Sequence, residues 1–193
     1  MCPARNVAEH HLTLPLTGDV IQMLRTNDYC YLTGTVYTAR DAAHKRMVEA
    51  LAKGEKLPLE IAGQVIYYVG PTPARPGEVV GSAGPTTAAR MDPFTVPLLD
   101  AGLKGAIGKG GRSPEIARAF AEHGAIYFIA VGGAGALLSR QIRRVEVVAY
   151  EELGTEAMRV MELEEFPVVM CNDVYGGDLL ADGKAQWRRQ PAG

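Results

Sequence analysis

The sequence predicts an α/β fold, with a central, partly parallel sheet flanked by helices and a second, mixed sheet built from the two ends of the chain. Three observations carry this expectation. Through the middle of the chain, short β-branched and aromatic runs alternate with helix-length segments, the order that builds a parallel sheet. Helix starts are marked by Asp92-Pro93 and Ser113-Pro114, where proline removes a donor that the first turn does not need. Glycine turns follow strand-like runs at Gly108-Lys109-Gly110-Gly111 and Gly132-Gly133-Ala134-Gly135, the position at which open α/β sheets bind ligands.

Residues 1–27 read as an irregular arm holding one short amphipathic piece, Gly18–Leu24. Asp28–Thr38, rich in Tyr, Val and Thr, predicts a strand. Asp41 is placed to cap a helix running to Lys53, with Ala43, Met47 and Leu51 on one face and Gly54 and Pro58 ending it. Val65–Val69 predicts a strand, and the proline-rich segment Gly70–Gly77 a loop. Glu78–Ser82 reads as a short strand entering the turn before Asp92, which is expected to cap a helix ending at Gly102. A strand at Leu103–Ile107 is followed by a helix from Ser113 with Gly124 as its stop. Ala125–Val131 reads as another strand, and a short helix reaches Leu138 after the second glycine turn. Val145–Ala149, Met158–Leu163 and Pro167–Cys171 read as strands. Residues 28–175 then form one domain and 176–193 a tail.

A chain of 193 residues with 47% apolar content can bury a sizeable core. Its net charge of -2 gives no case for nucleic acid or an anionic membrane, and the stretch Trp187-Arg188-Arg189 is too short to change that. Cys2, Cys30 and Cys171 have neither metal-ligand nor disulfide spacing. The N-terminus lacks a secretory pattern, and no apolar run reaches the roughly 20 residues of a membrane span. The cytoplasm is the expected compartment.

The segment Gly84-Pro85-Thr86-Thr87-Ala88-Ala89-Arg90-Met91 concentrates the chemistry. Pro85 stiffens the turn, and Gly84 is read as the residue that frees the backbone. A ligand there meets backbone N–H groups, the Thr86 or Thr87 hydroxyl, and Arg90, whose guanidinium grips a carboxylate through two parallel hydrogen bonds. The alternative is a plain helix entry, with the threonines bonding their own backbone. Gly108–Arg112 adds Lys109, and its glycine spacing is not that of a P-loop. Arg40-Asp41-Ala42-Ala43-His44-Lys45-Arg46 puts Arg40 and His44 on one helix face. Its alternative is a capped helix with solvated cations and a packing histidine. Three cationic junctions point to a ligand with more than one negative group. There is no paired-carboxylate motif, no Ser-His-Asp signature and no cysteine cluster, so an enzyme of this sequence borrows parts from another chain.

Taken in order, Arg40–Arg46, Gly84–Asp92, Gly108–Gly111, Gly132-Gly133 with Ala136-Leu137, Tyr150–Gly154, Glu165–Pro167 and Gly176–Leu179 resemble the β-subunit, or C-terminal domain, of the iron–sulfur class I fumarase and L-tartrate dehydratase family. The resemblance covers nearly the whole chain. It implies a swivelling β/β/α domain, and an α-subunit partner whose cysteines hold a [4Fe–4S] cluster that acts as a Lewis acid on a substrate carboxylate and hydroxyl. No metal ligand is expected from this chain. The family expectation for assembly is a complex of two α and two β chains containing a β homodimer.

By the same resemblance, Thr86 is the proton-transfer residue. Arg40, Arg90 and Lys109, with Thr87, bind the dicarboxylate, while His44, Gly84 and Gly110 support the site. The implied reaction is reversible hydration of fumarate to L-malate, favoured by Met91-Asp92 after the arginine. Removal of water from tartrate, or hydration of a related diacid such as mesaconate, is the alternative within the family. A non-catalytic diacid-binding module is the alternative outside it. A stand-alone hydro-lyase using an added metal lacks visible ligands. Because the implied site is shared with the partner, the basic turns are expected to line an open surface in the isolated chain.

Overall fold

The computed structural model describes residues 7–188; Cys2 and Arg189 lie outside the described residues. Seven strands form one sheet: β1 (Glu9–Thr13), β2 (Tyr29–Thr38), β3 (Val65–Tyr67), β4 (Gly105–Gly108), β5 (Ile126–Ile129), β6 (Ile142–Ala149) and β7 (Met158–Asn172). The helices are α1 (Gly18–Met23), α2 (Asp41–Ala52), α3 (Asp92–Asp100), α4 (Pro114–Glu122), α5 (Gly135–Leu138) and α6 (Leu179–Trp187).

Strands β1 to β5 run parallel in the order β1-β2-β3-β4-β5. β7 is antiparallel to β5, β2 and β6. Because β7 joins β5 back to β2, the pairings β2–β3–β4–β5–β7–β2 close into a circuit. The side chains alternate as the pleat requires. Leu32, Val36, Val65, Tyr67, Ile107, Ile126, Phe128, Met161 and Met170 enter one buried cluster. Ile66, Tyr68, Ala106, Tyr127 and Cys171 enter a second, where Ala43 and Met47 of α2, Leu98 of α3 and Phe120 of α4 meet them. Each large side chain so buried contributes roughly 1.5–3 kcal/mol of transfer free energy.

Several expectations need correction. The second mixed sheet does not form: its strands join the same sheet, because β7 is one strand of 15 residues rather than two. Glu165 takes a left-handed φ of 53°, and the register shifts by one between Leu32 and Gly34. This bulge lets the strand pass its polar break and continue. The irregular arm contributes β1 and α1, and Leu12, Ile21 and Leu24, the residue that follows α1, are buried in the first cluster. The tail carries α6, capped by the Asp178 carboxylate, which accepts from the Leu180 and Ala181 amides at 3.0 Å. Glu78–Ser82 is not a strand; Thr72 N–H donates to Ser82 O at 3.0 Å and Gly81 N–H to Thr72 O at 3.2 Å, folding the segment onto the proline loop. Neither Asp41 nor Asp92 caps its helix. Each is the first helical residue, after Arg40 and Met91, and each spends its carboxylate on an arginine.

Candidate functional site

The parallel strands direct their carboxyl ends to one edge of the sheet, and the three cationic junctions leave from that edge. Arg40 follows β2 by two residues, Lys109 follows β4 directly, and the Pro85–Ala88 segment lies across the ends of β3 and β4. This last placement rests on backbone bonds. The Thr86 amide donates to Tyr68 O at 2.7 Å, the Lys109 amide to Thr86 O at 3.0 Å, and the Ala88 amide to Lys109 O at 2.8 Å. Thr86 and Thr87 are therefore strapped beside Lys109 as an extra extended segment. A 3₁₀ turn, Ala88–Met91, then brings Arg90 round toward α2.

Arg90 Nε donates to Asp41 Oδ1 at 2.9 Å, which couples the second junction to the first. On the other side of Asp41 stands Arg40, whose Nη2 lies 3.4 Å from Glu156 Oε1. Glu156 also accepts from the Ala42 amide at 3.0 Å. Gly70 leaves room for this arginine, since a Cβ there would sit 2.9 Å from Arg40 Nη1. Lys109 is exposed and its stem crosses Gly132, where a Cβ would come within 2.6 Å of Lys109 Cδ. Among the described residues, Lys109 makes no ion pair and neither threonine hydroxyl bonds within the chain. The expected alternative, threonines bonding their own backbone, is not what forms.

His44 is buried, with Nδ1 2.9 Å from the Arg40 carbonyl and its ring edge-on to Tyr68. Burial pushes its pKa down to about 4, against the opposing pull of that carbonyl. The imidazole is thus neutral, with Nδ1 donating to the Arg40 backbone carbonyl. Gly110 has a left-handed φ of 77° and turns the chain after Lys109; its carbonyl accepts from the Tyr127 hydroxyl at 2.8 Å. Gly84 is not left-handed, which corrects the reason first given for it. Its turn packs against Gly135, where a Cβ would lie 2.7 Å from Gly84 N. Lys45 pairs with Glu49 at 3.9 Å, and Arg46 with Glu152; both are surface cations.

Sequence reasoning left Arg112 unassigned. Its side chain is fully buried, donating to Asp92 Oδ1 at 2.7 Å, to the Tyr68 hydroxyl at 3.0 Å and to Thr95. The rings of Phe120 and Tyr127 pack within 5.3 Å of it. Burial works against the charge, but the Tyr68 hydroxyl and Asp92 outweigh it and the guanidinium stays protonated. Asp92 also accepts from the Ser113 amide at 2.9 Å. The missed roles of Asp41 and Asp92 share one signal: an acidic residue at a helix start, beside an arginine-bearing turn.

The arrangement is an open rim. Arg90 is 52% exposed, and a cleft of about 530 Å³ near Arg75, Ser82 and Arg143 includes none of Arg40, Thr86, Arg90 or Lys109 in its lining. Such a rim can hold an anion and set a hydroxyl against it. It does not fit an iron–sulfur cluster. Among the described residues no His, Cys, Asp and Glu group could hold a metal, and burial pushes the thiols of Cys30 and Cys171 up to about 12, away from the thiolate a ligand needs. Among the same residues, no helix is long and apolar enough to cross a membrane.

Comparison with known proteins adds the lineage. The fumarase C-terminus family profile matches residues 3–183. A putative L(+)-tartrate dehydratase subunit beta of Methanocaldococcus jannaschii is 35% identical over 85% of this chain and 87% of its own length. The L(+)-tartrate dehydratase subunit beta of Escherichia coli is 33% identical over 93% of this chain and 92% of its own. The anaerobic class I fumarate hydratase of Escherichia coli is 42% identical over 76% of this chain, which spans only 27% of that longer protein. With the profile running through every strand and all three junctions, the chain belongs to the fumarase C-terminus family.

Proposed function

We propose that this chain is the β-subunit of a two-chain class I hydro-lyase, that the open rim binds a four-carbon dicarboxylate, and that fumarate, hydrated reversibly to L-malate, is the substrate. The observation that carries this reading is the coupled rim itself, with Arg40 and Arg90 on one shared carboxylate and Thr86 strapped beside Lys109. Arg90 has both Nη groups to offer, enough for a two-point grip on one carboxylate. Arg40 and Lys109 add positive charge around the same small molecule.

In the dehydration direction, Thr86 Oγ, ionised to the alkoxide, takes the proton from the carbon next to a bound carboxylate and becomes the hydroxyl. The electron pair left behind spreads into that carboxylate, and hydroxide leaves from the neighbouring carbon. A threonine hydroxyl is a poor base in water and that C–H is a weak acid. The cationic rim offsets both, by lowering the cost of ionising the threonine oxygen before the transfer and by stabilising the aci-carboxylate as charge develops on it. In this proposal the partner α-subunit holds a [4Fe–4S] cluster that supplies Lewis-acid chemistry, and the partner supplies the acid for the departing hydroxide. The proposal extends to a swivelling β/β/α domain, a complex of two α and two β chains with paired β chains, and a cytoplasmic location.

L-tartrate dehydration is the second reading, favoured by one observation: relatives 35% and 33% identical to this chain are a putative and a named L(+)-tartrate dehydratase subunit beta. The test is to combine the chain with its cluster-bearing partner, reconstitute without oxygen, and follow fumarate absorbance alongside assays for L-tartrate and mesaconate. Turnover of fumarate supports the first reading and of L-tartrate alone the second. An intact, loaded complex that turns over none of the three diacids sinks both and leaves a diacid-binding module.

A further inference from the structure

Among the described residues, two buried side-chain atoms at the rim lack a partner and lie close to each other. Arg40 Nε and Asp41 Oδ2 are both sealed from solvent with no hydrogen bond, yet only 4.0 Å separates them. That is too long for a hydrogen bond, and leaving a buried polar atom of a charged group unmet is costly. The other oxygen of the same carboxylate is already committed, because Asp41 Oδ1 accepts from Arg90 Nε at 2.9 Å. One carboxylate at the start of α2 therefore addresses the Nε of both arginines.

We infer that Asp41 is a positioning residue, a bridging carboxylate that turns the Nη edges of Arg40 and Arg90 toward the diacid and fixes the spacing between them. This rests on the reading of the rim as a dicarboxylate site. Arginine has a single Nε–H, on the side of the guanidinium away from one Nη. Tying Nε down on Arg90 leaves Nη1 and Nη2 as the free fork. On Arg40 the remaining groups are shared: Nη2 meets Glu156 at 3.4 Å, and Nη1 passes Gly70. The same backbone position that would ordinarily cap α2 is taken by Arg40, whose side chain makes no cap bond. The sequence thus gives up a helix cap and uses the acid next door to hold two cations. A small movement of Arg40 toward Asp41 completes the bridge, and a diacid drawn between the arginines supplies the reason to move.

The experiment is steady-state kinetics of fumarate hydration by the reconstituted complex carrying Asp41→Asn, Arg90→Lys, both together, and Arg90→Ala. Asparagine keeps the shape and the oxygen but drops the charge. The expected result is a rise in KM of about 10-fold or more for Asp41→Asn, with kcat changed less and the melting temperature near that of the parent. Lysine has no Nε–H fork for Asp41 to hold, so in Arg90→Lys only the Arg40 side of the bridge is left, and adding Asp41→Asn should raise KM by clearly less than the same change does in the parent. Unchanged KM in Asp41→Asn, an equal loss on either background, or a fall in kcat and melting temperature at constant KM each overturns the bridging role. If that happens while Arg90→Ala is nearly inactive, the dicarboxylate site stands and only the bridge falls. If Arg90→Ala has parental activity, the site reading falls with it.

Discussion

Arg90 and Arg112 stand 22 residues apart in neighbouring basic junctions, and they do opposite things. Arg112 is fully buried, with its donors spent on Asp92, Tyr68 and Thr95 and its faces covered by aromatic rings. Arg90 is half exposed, bonded to Asp41 through Nε, with its other donors unspent among the described residues. The same residue type is a structural pin in one place and an open hand in the other, and what separates them is how many of its five N–H groups the chain satisfies itself. The pin also explains the hand's position. Asp92 lies just beyond Arg90, and by holding Arg112 and the Ser113 amide it ties the start of α3, and so the turn bearing Arg90, to the loop after Lys109.

The comparison breaks if the two arginines fail in the same way. Arg112→Ala leaves Asp92 and Tyr68 facing a buried void, and removing one member of such a pair costs about 3–5 kcal/mol. Chemical denaturation of the isolated chain should show that loss, and a change below about 1 kcal/mol would contradict the pin. Thr86→Val tests the rim beside it. The hydroxyl bonds nothing among the described residues, so stability should hardly move, while kcat in the reconstituted complex should fall about 100-fold or more if Thr86 transfers the proton. A valine variant with parental kcat removes that role.

His44 sharpens the contrast through pH. Its folded-state pKa is about 4, against 6.5 when free, so the unfolded chain binds the extra proton between those values. Stability from this group is whole above about pH 6.5 and drains away as pH falls toward 4, roughly 3 kcal/mol in all. His44→Gln should remove that share of the acid sensitivity, seen as a smaller drop in melting temperature between pH 7 and pH 4.5 than in the parent. An identical drop would mean the ring is not held neutral.

Much of the sheet was legible because burial follows the pleat. Val65 through Val69 alternate between the two clusters, and Ser113-Pro114 opens α4 as read, with the Ser113 hydroxyl accepting from the Ile116 amide at 3.3 Å. β1 was not legible. In Glu-His-His-Leu-Thr only Leu12 is buried, and a strand covered on one edge by β2 alone needs little apolar patterning. β7 was split in the reading because Glu164-Glu165 and Pro167 look like an ending; the left-handed Glu165 absorbs them as a bulge. α6 was hidden by Gly183 and by a surface that buries none of its residues. At the rim, residue types announced the cations, but nothing local says that Asp41 reaches a residue 49 positions away. That pairing depends on how far α2 and the 3₁₀ turn lean together, which only the closed sheet decides.

The most direct test of the central claim is Arg90→Ala in the reconstituted complex, measured as kcat/KM for fumarate together with the melting temperature of the variant chain. The account predicts a loss of at least about 100-fold in kcat/KM, worth about 2.7 kcal/mol of transition-state binding, with the melting temperature almost unchanged. A variant that hydrates fumarate within about twofold of the parent, or that loses activity only because it unfolds, would contradict it.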